Sequence, residues 1–169
     1  MYFNGFCLEN ESELFKEYMI ENDYTLSGFS YGAIQALEFA LGSSAMDIRI
    51  DLVQLFSPSF FNDKDEKYKR MQLMYFKKDS KTYCDNFLKN SEFDETQSLK
   101  YFKEGKYEEL DKLLNYKWDQ KKLQLLVDNG TKIEVYLGEN DKIIDAQKAL
   151  EFFVNYSEVY FIKNKGHIL

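Results

Sequence analysis

Apolar positions along this chain keep two rhythms. Short runs rich in aromatic and β-branched residues occupy 1–6, 24–29, 48–56, 133–137 and 158–162, and each reads as a strand. Between them, apolar residues recur at intervals of three and four. Asn10 or Ser12 can cap a helix carrying Leu14, Phe15, Tyr18 and Met19 on one side. Residues 31–41 carry Ala33, Leu37, Ala40 and Leu41 at helical spacing, with Gly42 near the end, and 144–153 repeat the pattern. Strands alternating with helices at both ends of the chain predict a parallel α/β sheet.

The middle departs from this alternation. Residues 61–122 contain no convincing strand, and helices are expected over 64–77, 81–89, 107–116 and 119–127. The predicted organisation is therefore a core from 1–60 and 123–169, interrupted by a helical cap at 61–122. Charge separates the two parts as well. The insertion holds 15 basic and 13 acidic residues, hence +2, against −9 for the rest of a chain whose formal total is −7. That acidity argues against nucleic acid as a partner. The apolar runs are too short to span a bilayer, and no signal peptide is visible, so a cytoplasmic protein is expected. Cys7 and Cys84, 77 positions apart, do not read as a disulfide framework and are expected as two free thiols in a reducing compartment.

Candidate chemistry gathers at three places. Gly28-Phe29-Ser30-Tyr31-Gly32 has the G-x-S-x-G pattern between a strand and an Ala-rich helix. Such a sharp turn lifts a serine hydroxyl clear of the sheet, and the small flanking residues let strand and helix approach. Ser30 is thus the candidate nucleophile. The single histidine, His167, follows the last strand and is the candidate base. Asp141, in Gly138-Glu139-Asn140-Asp141 after the fourth strand, is the candidate acid that orients it. Glu139 and Asp145 compete for that role, but Asp145 is placed to cap the following helix and Glu139 to face solvent. The oxyanion would rest on the N–H groups of Tyr31 and Phe6, with Cys7 second to Phe6. A Cys7 nucleophile has no supporting signature.

These residues resemble the α/β-hydrolase superfamily, whose order is nucleophile, acid, histidine. The elbow Ser-Gly-Phe-Ser-Tyr-Gly-Ala-Ile, the segment Gly-Glu-Asn-Asp-Lys-Ile-Ile-Asp and the closing Gly-His-Ile-Leu carry the likeness. Phe-Asn-Gly-Phe, Phe-Ser-Pro and Tyr-Lys-Arg-Met-Gln-Leu extend it to the short pimeloyl-ACP methyl ester esterases of biotin synthesis, the BioV type. Where many relatives carry His-Gly before the oxyanion donor, this chain has Asn4-Gly5. The resemblance implies a minimal α/β-hydrolase of roughly five parallel strands that cleaves the methyl ester of pimeloyl-ACP. It implies an acyl carrier protein as partner, and neither metal nor cofactor. An acidic carrier calls for a basic docking face. Lys67 and Arg70 are the leading contacts, and Phe60, Phe61, Met71, Met74, Tyr75 and Tyr83 are candidates for lining an acyl channel. Another acyl esterase or thioesterase, or a hydrolase fold that only binds a carrier, are the alternatives.

Overall fold

A computed structural model describes all residues, 1–169. Five parallel strands form one sheet whose spatial order follows the chain: β1 (Tyr2–Phe3), β2 (Thr25–Phe29), β3 (Leu52–Phe56), β4 (Lys132–Gly138) and β5 (Glu158–Ile162). β1 is shorter than the apolar run at 1–6 suggests. It pairs only through Tyr2 with Ser27 and Phe3 with Gly28, after which the chain turns into the loop that flanks the elbow.

The sheet's faces divide by strand period. Leu26, Val53, Leu55, Val135 and Leu137 point into the larger core, under α1 (Tyr31–Ala45), α6 (Gln120–Asp128) and α7 (Ala146–Phe153). α1 runs on through Gly42, one turn beyond the predicted end. Phe29, Phe56 and Tyr136 point to the other face, into a smaller cluster with Phe15. There the expected capped helix is only a 3-10 turn, Glu11–Phe15, and Asn10 makes no side-chain cap bond. Phe15 stacks on Phe56 at 4.9 Å, and the Glu11 side chain turns inward instead of facing water. Because strand order follows chain order, crossovers of one hand would all lie on one face. The β1–β2 crossover lies opposite the others and so has the opposite hand. Its polar neighbours on that face are satisfied internally: Gln54 accepts from Ile20 N–H (2.9 Å) and donates to Glu134 (2.9 Å).

Between β3 and β4 stand α2 (Glu66–Lys78), α3 (Ser80–Asn90), α4 (Glu95–Tyr101), α5 (Tyr107–Asn115) and α6. α4 was not legible as apolar periodicity, since Leu99 is exposed. A local device makes it: Asp94 and Gln97 form a reciprocal capping box. α6 lies against α1 and β4, so the last helix of the insertion joins the sheet's covering layer.

The expectation of two separate thiols is overturned. Cys7, in the loop after β1, and Cys84, on α3, are joined in a disulfide with Cα atoms 6.1 Å apart. Sequence spacing cannot reveal a pairing that depends on the cap folding back over the β1 loop. A bond closing a loop this long contributes about 2–4 kcal/mol. Cys84→Ala should lower the melting temperature by roughly 5–15 °C for a chain of this size. Alkylation of denatured, unreduced protein should find no free thiol, and two after reduction; two thiols without reduction would remove the bond from the account.

Candidate active site

The site is assembled at the carboxyl ends of the strands, where a parallel sheet brings successive loops together. Ser30 alone joins β2 to α1, with φ 53° and ψ −110°, a conformation a non-glycine residue holds only when its surroundings impose it. The surroundings are visible. Ser30 N–H donates to Phe56 C=O at 2.9 Å, and Ser30 C=O accepts from Ser59 and Ala33 N–H, both at 3.2 Å. A Cβ at Gly28 would collide with the Gly32 carbonyl, and one at Gly32 with the Phe3 carbonyl. Glycine at both positions lets strand, helix and the β1 loop meet at the serine.

His167 has no exposed surface. Its Nδ1 lies 2.7 Å from Asp141 Oδ2 and its Nε2 lies 3.0 Å from Ser30 Oγ. Asp141 Oδ1 accepts from the N–H groups of Ile143 (2.7 Å) and Ile144 (3.1 Å), which fixes the carboxylate plane. With a carboxylate as acceptor, Nδ1 donates, and Nε2 is left to accept the Ser30 proton. Phe29 and Phe87 pack on the imidazole at 5.0 and 6.1 Å between centroids. The competing acids are engaged elsewhere: Asp145 caps α7 through Lys148 N–H (3.1 Å), and exposed Glu139 accepts from Asn164 N–H (3.3 Å).

Of the two expected oxyanion donors, Tyr31 directly follows Ser30, and Phe6 lies in the loop after β1, the start of which meets the first turn of α1 at Gly32. Tyr31 begins α1, where a helix leaves its N–H groups without internal partners. Phe6 is buried in the β1 loop, and no acceptor in the protein takes its N–H. Cys7 N–H, the alternative, likewise meets no acceptor in the protein.

Three participants escaped the sequence reading. Ser59 Oγ is 3.1 Å from Ser30 Oγ. Since the Ser30 proton is directed at His167, Ser59 is the donor of that pair. Its signal was present in Ser57-Pro58-Ser59, just beyond the end of β3. Phe87, on α3 of the cap, packs over His167, and nothing in the helical pattern of 81–89 distinguishes it. Glu11 sits behind the β1 loop with its carboxyl pushed up by burial.

A cavity of about 540 Å³ opens between cap and core. Phe6, Phe61, Leu110, Leu113 and Leu114 give it an apolar floor, and Ser59 marks its approach to Ser30. Of the predicted channel residues, Phe61, Tyr75 and Tyr83 line it. Phe60 packs on Phe152 and Phe153 in the core, while Met71 and Met74 are exposed. Lys67 and Arg70 lie on the solvent side of α2 and do not line the cavity, whereas Tyr68, Gln72 and Tyr75 on the same helix do. No helix is long and apolar enough to cross a membrane.

No family model matches the sequence, and no curated protein does. Solved structures match the fold. BioG from Haemophilus influenzae is similar with a TM-score of 0.60 at 13% identity, over 99% of this chain and 87% of that one. The esterase EaEST from Exiguobacterium antarcticum gives 0.61 at 16% identity, over 92% of this chain and 63% of its own. Naproxen esterase (carboxylesterase NP) from Bacillus subtilis gives 0.53 at 19%, over 94% and 57%. The chain thus spans less than two thirds of the length of those two esterases. At these identities the likeness is one of fold, and the fold of this chain is that of a minimal α/β-hydrolase.

Proposed function

We propose that this chain is a serine carboxylic ester hydrolase acting on the methyl ester of pimeloyl-ACP in the cytoplasm. The observation that carries the hydrolase reading is the unbroken hydrogen-bonded run from Asp141 through His167 to Ser30, beside a cavity with an apolar floor. The narrower substrate rests on the resemblance of the elbow, acid and histidine segments to the BioV-type esterases. A likeness of fold to BioG agrees with it.

In this reading His167 Nε2 takes the Ser30 proton as Oγ attacks the ester carbonyl. The developing oxyanion rests on Phe6 and Tyr31 N–H, and the proton passes from His167 to the departing methoxide. Water then cleaves the acyl-enzyme by the same route. Asp141 holds the imidazole in the required tautomer throughout. The two faces of α2 suit a carrier-borne substrate. The outer face offers Lys67 and Arg70 to an acidic carrier, and the inner one offers Tyr68, Gln72 and Tyr75 to the acyl arm. The buried disulfide is compatible with a reducing compartment once formed, because neither sulfur is open to thiolate attack.

Ser30→Ala and His167→Ala should each lower turnover of methyl pimeloyl-ACP by about four to six orders of magnitude, and Asp141→Asn by roughly two to four. A fluorophosphonate should label folded wild type at Ser30. Undiminished methanol release by Ser30→Ala would end the proposal, and faster cleavage of acyl-ACP thioesters than of the methyl ester would redirect it to a thioesterase.

Paired Lys67→Glu and Arg70→Glu substitutions should raise KM for the carrier-bound ester by roughly tenfold at low salt and leave p-nitrophenyl butyrate hydrolysis unchanged. Equal KM values for wild type and variant across a salt series would remove these two residues from the docking face.

A further inference from the structure

Glu11 has no exposed surface, yet it is a carboxylic acid in a turn at the edge of the sheet. Its Oε1 accepts from Gly5 N–H at 2.7 Å and from the Tyr2 hydroxyl at 3.1 Å. Its Oε2 is buried without any partner. Sealing a carboxyl group this way is costly unless its hydrogen bonds do something the fold needs. Hydrophobic packing does not need it, since an apolar side chain would fill the space behind the β1 loop.

What the loop needs is stiffness at one peptide. In the proposed mechanism Phe6 N–H is the donor offered to the oxyanion, and Phe6 is flanked by Gly5 and Cys7. Cys7 is fastened twice, through its bond to Cys84 and through its carbonyl, which accepts from Lys103 N–H at 2.9 Å. On the other side stands glycine, the residue with the widest backbone freedom. A larger residue is excluded there, because a Cβ at Gly5 would run into the Phe29 ring and the Leu8 side chain. The loop is therefore intrinsically loosest next to the peptide that must hold still, and Glu11 is the group that grips it.

We propose that Glu11 is a positioning residue for the oxyanion hole: its Oε1 anchors Gly5 N–H and so fixes the direction in which the next peptide presents Phe6 N–H. The proposal rests on the reading of Ser30 as an esterase nucleophile. Tyr2 supports Glu11 from the far side of the same oxygen. The carboxyl acts as an acceptor, so its charge is not required, and an amide carbonyl serves equally.

The test compares Glu11→Met, which removes the acceptor at similar volume, with Glu11→Gln, which keeps it. On p-nitrophenyl butyrate, Glu11→Met should lose roughly tenfold to a hundredfold in kcat with KM within about twofold, less than deletion of an oxyanion donor outright. Its affinity for an alkyl trifluoromethyl ketone, which forms a tetrahedral oxyanion on Ser30, should fall by the same factor. Glu11→Gln should recover most of both. A folded Glu11→Met with wild-type kcat, or a Glu11→Gln as damaged as Glu11→Met, overturns the proposal. Hydrogen exchange of the Gly5 amide in the wild type, followed by NMR, gives a readout independent of variant folding: slow exchange is expected, and exchange at the unprotected rate overturns it. Wild type that neither cleaves esters nor takes a fluorophosphonate at Ser30 overturns the esterase reading as well, which separates the two failures.

Discussion

The structure turns on a three-way backbone contact at the elbow. β2 hands over to α1 in a single residue, and the β1 loop presses against the first turn of that helix. Side chains are excluded from the contact at Gly28 and Gly32, so carbonyl oxygens and amides fill it. Ser30 takes a left-handed φ as a consequence. That conformation costs of order 1–3 kcal/mol, and the three backbone hydrogen bonds around Ser30 hold it in place. The short β1 follows from the same contact. Two paired residues are enough to deliver Asn4 and Gly5 to the helix, and further pairing would carry the loop past it.

The cap is not a free lid over this arrangement. It is fastened to the β1 loop by Cys7–Cys84 and by an antiparallel bridge between Leu8 and Phe102. It is fastened to the opposite side of the site by Glu92, which pairs with Lys142 at 2.7 Å and lies over Gly166 beside the histidine. Phe87 fills the space between, against His167. Ser30 and His167 are both buried as a result, and the cavity approaches Ser30 by way of Ser59. The disulfide thus tethers α3 to the β1 loop beside the site.

The sequence made the alternation of strands and helices plain, and with it the placement of Ser30, Asp141 and His167 at strand ends, because period and turn residues are local properties. What stayed hidden depended on distant partners. The Cys7–Cys84 bond requires α3 to lie over the β1 loop, and neither cysteine's neighbours announce that. Glu11 sits in Asn-Glu-Ser-Glu-Leu, a run that reads as a solvated helix start. It turns inward to meet Gly5 N–H and the Tyr2 hydroxyl, partners that the local sequence pattern does not announce. α4 was missed for a different reason: its exposed Leu99 breaks the apolar stripe, and its stability comes from a capping box.

Two buried carboxyl groups bracket the site, and the difference in how they are satisfied separates their uses. Asp141 spends one oxygen on two backbone N–H groups and the other on His167, so both oxygens meet a donor. It can face a developing imidazolium without reorganising. Glu11 concentrates its bonds on Oε1 and leaves Oε2 bare, and burial pushes its carboxyl above the usual range while Gly5 and Tyr2 pull only partly against this. Gripping the loop through Oε1, Glu11 holds Gly5 next to the peptide proposed to present Phe6 N–H. Two side-chain carboxyl groups thus serve the site in different ways, Asp141 by orienting the imidazole and Glu11 by holding the β1 loop, and the donors that each meets make the distinction.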